Sequence, residues 1–142
     1  ERLIAAIASI AAAQVAIDLT LDFVRHRRAF GQAIGQFQHN RFRLAALRAQ
    51  IDAVQIMVDQ LMLRANAGSL EGGDAASAKL LASEVEGQMV DLGVQLHGGA
   101  GYMDEYRISR LYTDARISRI FAGSNEIMLE LIARSMDPNG RT

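Results

Sequence analysis

Three short stretches combine residue types whose spacing could do chemistry. Arg25-His26-Arg27-Arg28 is a basic cluster, and guanidinium forks match pyrophosphate oxygens in shape and charge. Phe30 and Gln38 close by would add an apolar face and an amide for a nucleotide. The same cluster would equally serve as a cationic end to a helix, where the dipole favours positive charge. In Gln95-Leu96-His97-Gly98-Gly99-Ala100-Gly101-Tyr102 three glycines fall in four positions. One glycine suffices to end a helix, so the excess reads either as a tight turn or as backbone that a phosphate-bearing ligand approaches closely. His97 in this string reads as a packed or hydrogen-bonded residue before a base. In Ile120-Phe121-Ala122-Gly123-Ser124-Asn125-Glu126-Ile127 a glycine turn leads into a helix whose first amides are free donors. The stretch is an ordinary capped helix start or, with two very small residues behind an aromatic, a slot for a flat or extended ligand.

Other chemistries lack their signatures. The histidines, at 26, 39 and 97, never stand in the Glu-x-x-His spacing of di-iron bundles, so no metal site is expected. Neither a Gly-x-Ser-x-Gly elbow nor a P-loop string occurs. With no cysteine there is neither a disulfide framework nor a thiolate nucleophile, which fits a cytoplasmic location. Fifteen basic against sixteen acidic residues leave a formal charge of −1, so no global field draws in nucleic acid or an anionic membrane. The uncharged stretch Leu3 to Ile17 is shorter than the roughly 20 residues that span a bilayer and reads as a buried helix. No signal-peptide pattern is found. The first helical pattern starts without a capping residue ahead of it, as expected of a piece of a longer polypeptide.

The elements that must position these stretches are all helical. Leu3, Ile7, Ile10, Ile17, Leu21 and Val24, with Gln14 as the polar entry, predict a helix over about 1–26. A loop follows at Phe30 to Gly35. The stripe resumes from about Gln38 as Leu44, Leu47, Ile51, Val54, Val58 and Leu61, ending near Asn66-Ala67-Gly68. Asp74 is the expected N-cap of a third helix carrying Leu81, Val85, Met89, Leu92 and Leu96 up to the glycines at 98, 99 and 101. A fourth helix is expected over about Glu105 to Arg116, and a fifth capped by Ser124 with Ile127, Leu131 and Ile132 on one face. The fold class is all-α, an up-and-down bundle of four to five helices filling residues 1–136, with a tail over 137–142.

Taken together and in order, these strings resemble the acyl-CoA dehydrogenase family. The resemblance is carried by Glu1-Arg2-Leu3, Arg27-Arg28-Ala29-Phe30-Gly31, Phe37-Gln38, Ala78-Lys79, Gln95 to Tyr102, Asp114-Ala115-Arg116 and Ala122-Gly123-Ser124-Asn125-Glu126-Ile127-Met128. It covers about residues 1–134 and implies the C-terminal helical domain, without the N-terminal helical and middle β domains. It further implies an FAD enzyme in which a glutamate removes the α-proton of an acyl-CoA and the β-hydrogen leaves as hydride, giving a trans-2-enoyl-CoA. An electron-transfer flavoprotein as acceptor and a homo-oligomer, a dimer of dimers, belong to the same implication.

Position by position, the resemblance places Arg27, Ala29, Phe30, Gln38, Gln95, Gly98 and Gly99 against the FAD of a neighbouring subunit. It places Ser124, Asn125 and Glu126 against the subunit's own FAD, Arg2 near the CoA moiety and Gly123 against the substrate. Most members carry the catalytic glutamate where this chain has Ala122, which cannot accept a proton. A minority, including long-chain and isovaleryl-type dehydrogenases, take it from the start of the first helix, where Glu1 stands. Two other readings stay open: an acyl-CoA oxidase, which would form hydrogen peroxide, and a non-catalytic helical assembly module, which would stay colourless with FAD.

Overall fold

The computed structural model describes residues 1–136, and the expected tail 137–142 lies outside the described residues. Among the described residues six helices run in the order α1 (Arg2–His26), α2 (Gln38–Asn66), α3 (Gly72–His97), α4 (Gly99–Tyr102), α5 (Arg107–Ser118) and α6 (Asn125–Met136). A two-residue hairpin, β1 (Arg28–Ala29) with β2 (Gln32–Ala33), and a 3-10 turn at Ile34–Gln36 join α1 to α2. The all-α bundle stands as read from the pattern, with a one-turn α4 added after the glycine string.

The stripe of α2 is buried as its period requires: Leu44, Leu47, Ile51, Val54, Val58 and Leu61 form its whole buried face. In α1 the outcome differs. Its most buried positions include Ala6, Ala13 and Ala16, while Leu3, Ile7 and Leu21 are only partly covered. Alanines at 76, 78 and 82 of α3 are likewise fully buried. Small side chains on both helices let α1 and α3 approach closely, and that seam, rather than the large residues alone, makes the centre of the core. By length and composition α1 could cross a membrane, and burial of its apolar face against the other helices accounts for that composition.

Four boundaries and faces differ from the sequence expectation. α3 starts at Gly72, with Glu71 and not Asp74 at the N-cap. Asp74 instead lies in the first turn, where the dipole favours an acid, and pairs with Arg64 at 2.6 Å across the α2–α3 link. α5 is shifted two residues later than expected, from Arg107, because Tyr106 before it is extended. Leu81 of α3 and Ile127 of α6 are about half exposed, whereas Asn125 and Met128 are the buried face of α6. Periodicity identifies an apolar stripe but not the angle at which a neighbour covers it.

Three ionisable side chains are buried along α3: Lys79, Glu86 and, at its end, His97. Burial pushes the Glu86 carboxyl above its ordinary value, and hydrogen bonds from Ser118 of α5 and Ser9 of α1 act the other way. The folded carboxyl therefore keeps its proton to a higher pH than the unfolded one, whose pKa is near 4.5. Its stabilising contribution is complete below that value and lost as pH rises through the folded pKa. Glu86→Gln is expected to remove this loss, so the variant gains on the wild type by up to about 1.4 kcal/mol per pH unit across that window. Urea midpoints at a series of pH values measure it, and parallel profiles would contradict it.

Candidate functional site

At the start of α1 a cavity of about 490 Å³ opens between three chain segments. Glu1, Arg2 and Leu3 form one wall, Leu70 to Gly72 with Ala75 a second, and Ala122 and Gly123 a third. Glu1 occupies the N-cap position of α1, is exposed, and its carbonyl accepts the first helical hydrogen bond from the Ala5 amide. The fold thus brings together the glutamate of one end of the chain and the alanine and glycine of the other. Sequence reasoning does not find Leu70, Glu71 and Ala75; the one usable signal is Leu70 as a lone apolar residue in a polar link.

The turn carrying Ala122 and Gly123 is left-handed at both, with φ of 55° and 91°. Gly123 is required twice over, since a Cβ there would also lie 2.6 Å from the Met128 methyl. Ala122 has no such freedom and holds strain of order 1 kcal/mol or more, a feature found where surrounding structure fixes the backbone. Ser124 is half-buried and its carbonyl accepts from the Met128 amide, which places it at the cap of α6 as expected. Asn125 is buried and its amide points inward, accepting from the Lys79 ammonium at 2.8 Å and donating to Ser83 Oγ and Glu84 Oε1. Glu126 is exposed, and the Ser124 hydroxyl beside it, then its own amide, hold its carboxyl below the usual carboxylate range; Lys79 and Arg116 add to this.

A second cavity, of about 660 Å³, lies at the opposite end of α1. His26 and Arg27 line it from the end of α1, Gly98 and Gly99 from the end of α3, and Tyr106 from the approach to α5. His97 is a packed residue: its ring stacks on Phe23 with centroids 4.0 Å apart and its Nδ1–H donates to the Gly93 carbonyl at 2.7 Å. Burial holds its pKa below the ordinary histidine value, the Gly93 bond opposing.

The glycine string separates into three cases. Gly101 lies against the Val94 carbonyl and His97, so a side chain would not fit, and Gly98 adopts φ 61°. Gly99 has an ordinary backbone and open space where a Cβ would be. Nothing within the bundle requires a glycine there.

The remaining expected contacts do not gather around either cavity. Phe30 is 95% exposed at the tip of the hairpin, where it and Gly31 both have positive φ as a type I′ turn demands. A bulky residue at that position is strained, and its ring faces solvent apart from an edge contact with Phe37. Ala29 is half-buried in β1, Gln38 is exposed at the start of α2, and exposed Gln95 lines a separate cavity beside Gly101 and Tyr102. Arg27, Phe30, Gln38 and Gln95 therefore present their groups outward. Among the described residues no cluster of histidine and acidic side chains could hold a metal ion.

A family model described as the acyl-CoA dehydrogenase C-terminal domain matches residues 1–137. The mouse long-chain specific acyl-CoA dehydrogenase is 40% identical over 96% of this chain, which covers 32% of that protein. The crystal structure of an acyl-CoA dehydrogenase from Geobacillus kaustophilus superposes with a TM-score of 0.94 at 40% identity, over 96% of this chain and 36% of that one. A chain in a structure of the electron transferring flavoprotein of Acidaminococcus fermentans gives 0.92 at 29% identity, over 95% and 36%. The chain spans about a third of the length of the curated relatives it matches. With the family model matched along the whole bundle and relatives at 40% identity, the chain belongs to the acyl-CoA dehydrogenase family, as its C-terminal domain.

Proposed function

We propose that this chain is the C-terminal part of an FAD-dependent enzyme that α,β-dehydrogenates acyl-CoA thioesters to trans-2-enoyl-CoA, and that it is inactive apart from the rest of that enzyme. The observation that carries the reading is the single cavity formed by Glu1, Ala122 and Gly123. The Glu1 carboxylate is the base that takes the α-proton. Ala122 ends at its Cβ and leaves room for the thioester beside it. Gly123 brings backbone against the substrate, and Arg2, which lines the same cavity, is the proposed partner of phosphate oxygens of CoA.

The residues fit a flavin nucleotide. Arg27 supplies a fork for pyrophosphate beside Gly98 and Gly99, and the open space over Gly99 admits close approach. Phe30, Ala29, Gln38 and Gln95 belong to that outer face, while Ser124, Glu126 and the backbone of Asn125 belong to the face near Glu1. FAD, when bound, supplies the hydride acceptor.

The two faces sit at opposite ends of a 25-residue helix, roughly 37 Å apart. One cofactor does not reach both, so Arg27 serves the flavin of another subunit and the complete enzyme is at least a dimer; the family resemblance makes it a dimer of dimers. An electron-transfer flavoprotein is the proposed acceptor, in keeping with the chain from Acidaminococcus fermentans.

The test is anaerobic addition of straight and branched acyl-CoA thioesters to the complete protein. Bleaching of the visible flavin band with formation of enoyl-CoA is expected. A colourless protein, or a flavin that no acyl-CoA bleaches, would overturn the reading.

A further inference from the structure

We propose that Lys79, acting through Asn125, is a positioning residue that fixes the turn at 122–126 against Glu1 for the proposed proton removal. The inference rests on the proposed dehydrogenation at the Glu1 cavity. Lys79 is 1% exposed, the largest fully buried side chain among the described residues, although lysine is among the residues least often buried. It forms no ion pair within contact distance among the described residues. Its ammonium donates to Asn125 Oδ1 at 2.8 Å. Burial lowers its pKa, with the more distant charges of Glu126 and Glu84 opposing.

The acceptor is placed to transmit that bond. Asn125 is the first residue of α6, and its amide donates to Ser83 Oγ at 3.0 Å and Glu84 Oε1 at 2.8 Å. Its backbone N–H closes the preceding turn on the Arg119 carbonyl at 3.1 Å. Inside that turn lie the two left-handed residues that face the cavity, Ala122 and Gly123. A strained backbone persists only where its surroundings determine it, and Asn125 tethers this turn to α3 at one end as the Arg119–Glu84 ion pair does at the other. Lys79 stands one helical turn beyond Ala75, which lines the same cavity. One face of α3 thereby forms a wall of the site and pins the opposite wall.

A role in packing alone would not need a cation. A well-packed apolar side chain of similar volume commonly matches or exceeds the stability of a buried charge. The expected signature is therefore a loss of rate without a matching loss of stability. In the complete protein, Lys79→Met and Asn125→Leu should each slow the limiting rate of anaerobic flavin bleaching about tenfold or more, as small misplacements at reacting groups do. The apparent acyl-CoA dissociation constant should change less than about threefold. The double variant should be no slower than the slower single one, because the two residues act as a unit. Amide hydrogen exchange at 122–126 should quicken in each variant, a readout that needs neither substrate nor turnover. If either single variant does not fold, the double variant Lys79→Met with Asn125→Leu, which removes donor and acceptor together, carries the same comparison. Unchanged bleaching and unchanged exchange, even with a shifted unfolding midpoint, would overturn the inference and leave Lys79 a packing residue. Failure of the unsubstituted protein to bleach with any acyl-CoA would overturn the functional reading and this inference with it.

Discussion

Glu1→Gln in the complete protein is expected to lower acyl-CoA dehydrogenation by about 10²- to 10⁴-fold, the range by which a positioned general base contributes. FAD should remain bound, because Glu1 is not among the residues assigned to the flavin at either end, Arg27 with Gly98 and Gly99 at one and Ser124 to Glu126 at the other. Glutamine keeps the shape and the hydrogen-bonding oxygen and loses the proton acceptor, so the fold is undisturbed. Adding Ala122→Glu to Glu1→Gln should restore part of the activity. Ala122 already adopts φ 55°, so a glutamate there adds no new kind of backbone strain, and its carboxylate would enter the same cavity from the opposite wall. Stopped-flow bleaching of the flavin measures both. Near-normal turnover in Glu1→Gln would move the base elsewhere, with Glu126 the next residue to test.

The second large effect is expected at the far end of α1. Arg27→Ala should weaken flavin retention about 10- to 100-fold, corresponding to about 1.5–3 kcal/mol for a hydrogen bond to a charged group. Gly99→Ala should weaken it too, by placing a methyl group where the nucleotide approaches, yet leave stability within about 0.5 kcal/mol because that methyl meets nothing in the bundle. The pairing separates cofactor contact from folding. Flavin content after gel filtration, with unfolding midpoints of the same samples, decides it. A Gly99→Ala protein that keeps its flavin would show that close approach of the nucleotide does not require a glycine at that position. An active strict monomer would contradict assignment of Arg27 to a partner's site.

Legibility of the fold followed the amount of local repetition. α2 shows its buried face in full, because large apolar residues at three- and four-residue steps on a long helix leave one orientation. α1 and α3 do not, because alanine carries little periodic signal and becomes a seam only when another alanine-rich face meets it. The expected Asp74 cap fails for a related reason: its carboxylate pairs with Arg64 on α2, a partner 10 positions away and invisible to a capping rule.

For the site, the sequence by itself determined the helical class, the three chemical strings and, through their combination, the family. Those depend on residue identity and short spacing, which a linear string carries. Only the tertiary structure decided that Glu1 and Ala122 share one cavity across 121 positions, that Gly99 is free of any demand from the bundle, and that Asn125 turns inward to a buried Lys79. Each of those is a contact between segments distant along the chain, created when burial of the helix faces brings their ends together, and no local preference encodes which ends will meet.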